Sequence, residues 1–333
     1  MKRIPFRPAL VTGVVTAATG LLLLTACGTD SSPEGSTDTP GDDGTRSVSH
    51  VYGETEIPAD AGNVVSVSVT STATLLSLDV PVTASATTSP GPLTDENGFF
   101  SQWADLAVER EVEPLPGPEV SLEAVGAAEP DLIVGNGFGA DAIDESTYEM
   151  LSEIAPTVVL GEGDIPWTEL TEQYAEAFDR QDRAAEITEE YQELVTESSE
   201  ALSHDNDVVM LTGTPDGFNV FTPESAQGKL LADLGLNQHE MPEDLTAAGA
   251  QGGADRTDIV QLSPERASDF DDSTLLFVNL QGEEIADYAE SYPTLENIPA
   301  FEDDRAFTVG AEGFRMDYYS SRLISERLVE NLG

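Results

Sequence analysis

The stretch that decides the fold lies in the middle of the chain, where residues 181–203 read QDRAAEITEEYQELVTESSEALS without a Gly or Pro. Apolar or small residues recur in it at a spacing of three or four: Ala184, Ile187, Tyr191, Leu194 and Ser198. This period predicts one amphipathic helix with a single buried face. A helix of about 23 residues is roughly 34 Å long, the width of a small domain. We therefore predict a rigid helix that joins two separate lobes.

On both sides of this helix, apolar runs that are typical of strands alternate with helical patterns. The predicted strands are Val64–Val69, Pro81–Ala86, Leu132–Gly135, Thr157–Leu160, Val208–Leu211, Leu275–Val278 and Phe307–Val309. The predicted helices are Thr72–Leu78, Leu122–Ala127, Thr147–Ile154, Thr168–Phe178, Ala226–Leu234 and Asp317–Leu332. In the last of them, Asp317 is a candidate N-cap, and one apolar stripe is formed by Leu323, Ile324, Leu328 and Leu332. Such alternation predicts mainly parallel sheets with helices on both faces. The predicted fold class is α/β, with two Rossmann-like lobes at residues 48–180 and 204–333.

Residues 1–26 have the pattern of a secretory signal peptide. Basic residues precede an uncharged, largely apolar run over residues 9–24, which is shorter than the roughly 20 residues that a spanning helix needs. The run ends in Leu24-Thr25-Ala26-Cys27, which resembles the bacterial lipobox. The resemblance implies cleavage before Cys27 and lipidation (palmitate or a similar acyl chain) of that residue. An ordinary signal peptide with a chance cysteine is the alternative.

Residues 27–47 are predicted to form a lipidated, disordered acidic tether. Thr29–Ser47 contains no large apolar residue and therefore cannot contribute to a core. A flexible coil of about 20 residues has its ends roughly 25 Å apart, which would hold a globular body just off the membrane. Cys27 is the only cysteine, so no intrachain disulfide can form. The expected location is the extracellular face of the membrane of a single-membrane, Gram-positive bacterium.

The charge balance is strongly acidic, with 63 acidic residues, 14 basic residues and a net charge of −49. Three basic residues lie in the predicted signal peptide, which leaves 11 against 63, or −52, in the mature chain. Such a field repels nucleic acids and anionic lipid headgroups, so neither is an expected partner. A solvated surface suited to a salty or alkaline exterior explains the acidity best. Calcium binding is the alternative, but no Asp-rich loop with a glycine turn supports it.

Signatures of enzymes are missing from the sequence. The three histidines, His50, His204 and His239, have no metal-ligand spacing, and neither His-Glu-x-x-His nor Gly-x-Ser-x-Gly occurs. The glycine-rich stretch Gly135–Gly139 lacks the third glycine of a dinucleotide fingerprint. We therefore predict a protein without catalytic residues, cofactor or directly bound metal ion.

Several long and dispersed segments resemble the periplasmic ferric-enterobactin-binding proteins, within the class of solute-binding proteins for siderophores and vitamin B12. The matching segments are Val65–Thr70, Ala84–Thr88, Gly98–Trp103, Tyr148–Thr157, Phe221–Gly228, Asp258–Leu262 and Phe314–Ser320. The likeness spans residues 64–332. It implies a class III solute-binding fold with a helical backbone, a monomer that carries a ferric siderophore in an inter-lobe cleft, and delivery to an ABC permease and its ATPase.

The resemblance also implies which residues contact the ligand. They are Arg315, Phe221, Thr87, Thr88, Pro92, Asn219, Arg256 and Tyr318. A ferric tris-catecholate is bulky, aromatic and triply negative, so its cleft needs a permanent cation and aromatic faces. The alternative for Arg315 is a surface arginine paired with a carboxylate. The alternative for Phe221 is a hydrophobic staple onto Ala226, beside Thr222 as N-cap and Pro223 at N1.

One position departs from the family pattern. Pro92 stands where relatives carry a second ligand arginine. The Coulomb attraction lost at about 4 Å is near 4 kcal/mol at an effective dielectric of 20, before solvent competition. Arg256 is a candidate to compensate. Weaker binding of a catecholate and binding of a less charged hydroxamate both remain open, as does a corrinoid ligand. A lipid-tethered extracellular hydrolase is the alternative from a different class.

Two glutamates stand at equivalent points of the two halves. Glu123 and Glu265 each lie two residues after a predicted serine N-cap, where a negative charge favours the positive end of the helix dipole. This local electrostatic effect is one explanation of both residues. The resemblance implies another, because relatives present one glutamate per lobe to basic pockets on the permease. We therefore predict docking through Glu123 and Glu265.

Overall fold

The structure, a computed structural model, describes residues 44–163, 165–214, 217–240, 257–263, 266, 269–270, 272–278, 284–286, 290, 293 and 298–333. The predicted signal peptide, Cys27 and the tether up to residue 43 lie outside these residues. Among the helices of the described ranges, none is long and apolar enough to cross a membrane.

A β-hairpin that the sequence patterns did not predict opens the described chain. Strands β1 (Thr45–His50) and β2 (Gly53–Pro58) pair antiparallel. The predicted tether to Ser47 is therefore too long by three residues, since β1 begins at Thr45. Val48 and Ile57 are buried by packing on the lobe that follows, and this burial orders the polar residues beside them.

The first lobe has a wholly parallel sheet. Its strands are β3 (Val64–Ser66), β4 (Val82–Ser85), β5 (Glu113–Pro114), β6 (Leu132–Asn136) and β7 (Thr157–Leu160), in the order β5-β4-β3-β6-β7. Its helices are α1 (Val69–Ser77), α2 (Ser101–Glu109), α3 (Leu122–Ala127), α4 (Glu145–Ser152) and α5 (Trp167–Phe178). Successive strand residues such as Val64 and Val65 belong to different buried clusters, as expected for a sheet covered on both faces.

The connecting helix α6 spans Gln181–Ala201 and confirms the predicted helix, ending two residues earlier. It is separated from α5 by Asp179, whose backbone is left-handed with φ of 53°. Of the predicted buried face, Ala184, Ile187 and Ser198 are buried, whereas Tyr191 and Leu194 are half-buried.

The second lobe has a mixed sheet. Its strands are β8 (Val208–Thr214), β9 (Gly217–Phe221), β10 (Ile259–Leu262), β11 (Thr274–Phe277) and β12 (Ala306–Thr308), in the order β10-β9-β8-β11-β12. Strands β8, β11 and β12 are parallel, whereas β9 is antiparallel to both of its neighbours. The antiparallel pairing was not predicted. Between β8 and β9 it follows from the connection, because only two residues separate these strands and a parallel crossover needs many more.

Short helices complete this lobe, and the last helix contacts both lobes. The helices are α7 (Ala226–Asp233), α8 (Pro299–Glu302) and α9 (Tyr318–Leu332), with a 3₁₀ turn at Ala311–Phe314. Ile324 and Leu328 are buried in the core of the second lobe, whereas Tyr318 and Tyr319 pack against the core of the first. The lobes are therefore connected by α6 and also by the start of α9.

Candidate ligand-binding cleft

Predicted ligand residues from both lobes lie beyond the carboxyl ends of the strands of their sheets. Thr87 and Thr88 follow the carboxyl end of β4, and Arg315 lies beyond the carboxyl end of β12. Ligands of open α/β sheets bind outside the carboxyl ends of the strands. The two edges meet where the start of α2 contacts the segment before α9. This meeting point is the candidate site.

Arg315 lies against two aromatic rings at this meeting point. Its guanidinium carbon is 5.9 Å from the ring centroid of Phe100, in the first lobe, and 5.8 Å from that of Phe314. Both distances are within the range of cation–π contacts. The Nε atom is buried and has no hydrogen-bond partner in the described part of the protein. The guanidinium therefore retains donor capacity for an anionic ligand.

The electrostatic state of Arg315 differs from that of most other arginines. Ion pairs with carboxylates are formed by Arg110, Arg183, Arg266, Arg305 and Arg327. Within the described ranges, no carboxylate lies within 4.0 Å of Arg315. The alternative, a surface arginine paired with a carboxylate, is therefore not seen for Arg315 among the described residues. The side chain is a local positive centre in an acidic protein.

Asp317 fixes the backbone next to Arg315. Its Oδ1 accepts hydrogen bonds from the N–H groups of Tyr319 and Ser320, at 2.9 and 2.8 Å, so its predicted N-cap position is confirmed. Its Oδ2 accepts a bond of 2.9 Å from Gln102 Nε2 in the first lobe. Burial raises the pKa of Asp317, against the lowering effect of these hydrogen bonds.

Tyr318 lies at the junction of the two inter-lobe helices. Its hydroxyl donates to Glu190 of α6, and its ring is 6.5 Å from that of Trp167. The bond from Tyr318, together with one of 2.9 Å from Arg183, lowers the pKa of Glu190. The hydroxyl of Tyr318 therefore links α9 to α6, and ligand contact by Tyr318 remains a prediction.

Phe221 and Asn219 lie on β9 in different environments. Phe221 is 7% exposed and belongs to a buried cluster that includes Leu230. Asn219 is partly exposed, and its Oδ1 is buried without a hydrogen-bond partner within the described residues. Such an unpaired acceptor is unfavourable in a folded protein unless another group satisfies it.

The expectation that Thr222 caps the following helix is wrong. The N-cap of α7 is Ser225, whose Oγ accepts from the N–H of Gly228 at 2.8 Å. Thr222 instead accepts a local bond of 3.3 Å from the N–H of Glu224. A turn at Thr222–Glu224 therefore precedes α7. Pro223 fits this turn, because proline is favoured in turns as well as at the first position of a helix.

The loop after β4 carries the remaining predicted contacts. Thr87 is 8% exposed, and its Oγ1 donates to the carbonyl of Leu115 at 2.8 Å. Thr88 is partly exposed, and Pro92 is exposed. A small pocket beside Thr87 is lined by the segment that leads to α3.

The predicted docking residues are only partly described. Glu123 is exposed in the first turn of α3, after Ser121, whose hydroxyl accepts from Ala124 N–H at 3.3 Å. Glu265 lies outside the described residues, as does Arg256 among the ligand residues. Neither could therefore be placed.

Two residues that the sequence analysis did not single out complete the site. Phe100 and Gln102 both lie at the start of α2, inside the segment Gly98–Trp103 that carries the resemblance. That segment was the available signal, but it did not indicate the partners of its side chains. Among the described residues, no group of three or more His, Cys, Asp or Glu could hold a metal ion.

The fold defines a class: two α/β lobes with a helical backbone, here with a candidate ligand site at their meeting edges. The chain belongs to the periplasmic binding protein family, whose model matches residues 64–312. The predicted fold class and the resemblance noted in the sequence are thereby confirmed. The established members that it resembles are solute-binding transport proteins.

Individual relatives agree with this assignment. The chain is 33% identical over 287 residues to the ferric enterobactin-binding periplasmic protein FepB of Escherichia coli O6:H1 (strain CFT073), with 85% of this chain and 89% of FepB covered. It is 26% identical over 253 residues to the probable siderophore-binding lipoprotein YfiY of Bacillus subtilis (strain 168), covering 75% and 74%. The crystal structure of holo-ViuP superposes with a TM-score of 0.71 at 27% identity, covering 86% and 95%.

Proposed function

We propose that this protein is the substrate-binding lipoprotein of an ABC importer for iron. It binds a ferric siderophore in the inter-lobe cleft, with an enterobactin-like catecholate favoured, and delivers it to the permease. It carries out no reaction, and the iron stays within the siderophore. The observation that supports this most is the unneutralised Arg315 between aromatic rings in a chain with 63 acidic residues. The similarity to FepB supports the same ligand class.

The competing ligands are a ferric hydroxamate and a corrinoid. They are favoured by Pro92, which stands at the position of a second family arginine and is exposed on its loop. A cleft with one cation attracts a triply negative complex less than a cleft with two, and it discriminates less against neutral complexes.

A binding assay with two arginine variants tests the ligand class. The fluorescence of Trp103 and Trp167 would be titrated with ferric enterobactin, ferrichrome and cobalamin. We expect Arg315→Ala to weaken ferric enterobactin by about 10- to 100-fold, or about 1.4 to 2.8 kcal/mol, because an ionic contact with the ligand is lost. Ferrichrome, which has no net charge, should change by less than about threefold.

Arg322→Ala is the matched control, because Arg322 is exposed on α9 and its substitution removes the same single positive charge. It lies 6.0 Å from the ring of Tyr318 rather than beside Phe100. Equal losses in the Arg315 and Arg322 variants would show a general field effect and would refute the role of Arg315. Tighter binding of ferrichrome than of ferric enterobactin by the wild type would favour the hydroxamate alternative.

Delivery to the permease is proposed to use Glu123 and Glu265. The exposed position of Glu123 at the start of α3 supports this. The double variant Glu123→Arg, Glu265→Arg should bind the siderophore normally and fail in cellular iron uptake. Glu145→Arg is the control, because Glu145 has the same first-turn position on α4 and is exposed. Normal uptake by the double variant would contradict docking.

The membrane anchor is proposed to be a lipid on Cys27. The lipobox-like sequence supports it, and YfiY is itself named a lipoprotein. Cys27→Ala should release the protein into the medium or leave it unprocessed. Retention of a processed Cys27→Ala protein at the membrane would contradict the anchor.

A further inference from the structure

The start of α2 contacts the Arg315 segment at two points. Phe100, the N-cap residue, lies under the guanidinium, with its centroid 5.9 Å from Cζ. Gln102, two residues further along, donates to Asp317 Oδ2 at 2.9 Å. Both contacts come from the first lobe: one is to Arg315 itself, and the other is to Asp317, two residues further along. The position of Arg315 therefore depends on both lobes.

Phe100 is held rigidly. It is 5% exposed, and its ring packs edge-on against Trp103 at 6.3 Å, with the two planes at 76°. The loop before it is closed by Asp95, whose Oδ1 accepts from the N–H of Phe99 at 2.8 Å. A ring fixed in this way offers a preorganised face to a cation.

The backbone of the Arg315 segment is also held from its own lobe. Gln227 of α7 is buried, and its Nε2 donates to the carbonyls of Gly313 and Phe314 at 2.9 and 3.2 Å. With Asp317 fixed on the other side, the side chain of Arg315 is the free element of this segment. Its direction is then decided by what lies beside the guanidinium.

An aromatic neighbour affects an arginine differently from a carboxylate. A carboxylate neutralises the guanidinium and occupies its in-plane donors, whereas a ring contacts its face and leaves the N–H groups available. This difference matters in a chain with 63 acidic residues, where most described arginines are already paired.

We propose that Phe100 is a positioning residue that keeps Arg315 unpaired and directed at the ligand. The start of α2 thereby sets the preference of the cleft for anionic ferric complexes. The Gln102–Asp317 bond supports this arrangement by holding the following backbone. The inference rests on the proposed function for its ligand, but the state of Arg315 can be measured without one.

The ligand test compares Phe100→Leu with Phe100→Tyr. We expect Phe100→Leu to weaken ferric enterobactin by about tenfold and ferrichrome by less than about twofold. Phe100→Tyr keeps the ring and should stay within about twofold of the wild type for both. Equal losses for the two complexes in Phe100→Leu would overturn the proposal, because loss of packing alone would affect both.

Phe178→Leu is the matched control for a truncated core ring. Phe178 is also 5% exposed and lies in the same buried cluster, where its ring packs with that of Tyr174. It should leave the ratio of the two affinities unchanged. A change in that ratio equal to that of Phe100→Leu would also overturn the proposal.

A test without ligand separates this inference from the proposed function. The Hε resonance of Arg315, assigned by its disappearance in Arg315→Lys, should be shifted by the ring current of Phe100 in the free protein. Phe100→Leu should reduce this shift to the part that the ring of Phe314 causes, and Phe178→Leu should leave it unchanged. An unchanged resonance in Phe100→Leu refutes the positioning role whatever the protein binds. A wild type that binds neither complex refutes the proposed function alone.

Discussion

The unpaired charge of Arg315 and the pKa of His50 are both determined by neighbouring residues. The sequence placed Arg315 in a ligand site through its motif, but its aromatic partners could not be read from the pattern. The related contact between Gln102 and Asp317 joins residues 215 positions apart. Contacts at such separations depend on how the lobes pack, and local periodicity carries no information about them.

At the residue scale, we predict that His50 makes stability depend on pH. Its Nδ1 accepts from the N–H of Tyr52 at 3.2 Å, and Nε2 lies 2.9 Å from Thr55 Oγ1. Burial lowers the pKa of His50 below its ordinary value of 6.5. The unfolded chain therefore binds a proton at His50 more readily than the folded protein does. The free energy of unfolding is not reduced by His50 above pH 6.5, and it falls as the pH drops below 6.5.

The measurement is urea unfolding of the wild type and His50→Gln at pH 7.5 and 5.5. The comparison with the variant removes the general effect of acid on a chain of net charge −49. The wild type should lose up to about 1 kcal/mol relative to the variant, because partial exposure screens the effect. An identical difference at both pH values would contradict the prediction.

At the scale of elements, helices with a regular apolar period were predicted well and short paired strands were not. Helix α6 and the cap of α9 agree with their predictions. The hairpin of β1 and β2 was missed because it is mostly polar, and its burial pattern shows only one buried residue in each strand. Only Phe221, the last residue of β9, lies in a quoted motif, and the direction of this strand depends on a tight connection rather than on composition.

The cap of α9 gives a prediction at this scale. Asp317→Ala removes two capping bonds and the bond from Gln102, so it should lower the free energy of unfolding by about 2 to 3 kcal/mol. Asp317→Asn keeps an acceptor and should lose less. Thermal or urea unfolding measures both.

Asp144→Ala is the control for this prediction, because Asp144 caps α4 through a single bond of 2.7 Å to Thr147 N–H. It should lose about 1 kcal/mol. Equal losses in Asp317→Ala and Asp144→Ala would mean that the contact with the first lobe adds nothing to stability.

At the scale of the whole molecule, the sequence predicted two lobes and one rigid helix between them. The predicted stripe of Leu323, Ile324, Leu328 and Leu332 indicated that the last helix has a buried face. The last three of these residues are buried, and Leu323 is half-buried. The stripe did not indicate that Tyr318 and Tyr319 pack on the other lobe. Periodicity identifies a buried face, but the surface that covers it is a property of the assembled fold.

The acidic surface gives a prediction for the whole molecule. With 63 acidic and 14 basic residues, repulsion between like charges opposes the folded state. The Debye length falls from about 10 Å at 0.1 M salt to about 3 Å at 1 M, so salt should relieve this repulsion. The Tm should rise by about 3 to 6 °C between 0.1 and 1 M NaCl.

Sucrose at matched osmolality is the control for this measurement, since it stabilises proteins without screening charge. A Tm that rises equally in both solutions would contradict an electrostatic cause, and so would a Tm that falls in NaCl.

The position of α9 has a consequence for biogenesis. The hydrophobic core of the first lobe is covered in part by Tyr318 and Tyr319, which the ribosome adds only after all the described strands of the second lobe. The first lobe therefore cannot finish burying its apolar surface when its own strands and helices have emerged. Its maturation waits for residues 318 and 319, and a nascent chain arrested before residue 318 should still be protease-sensitive.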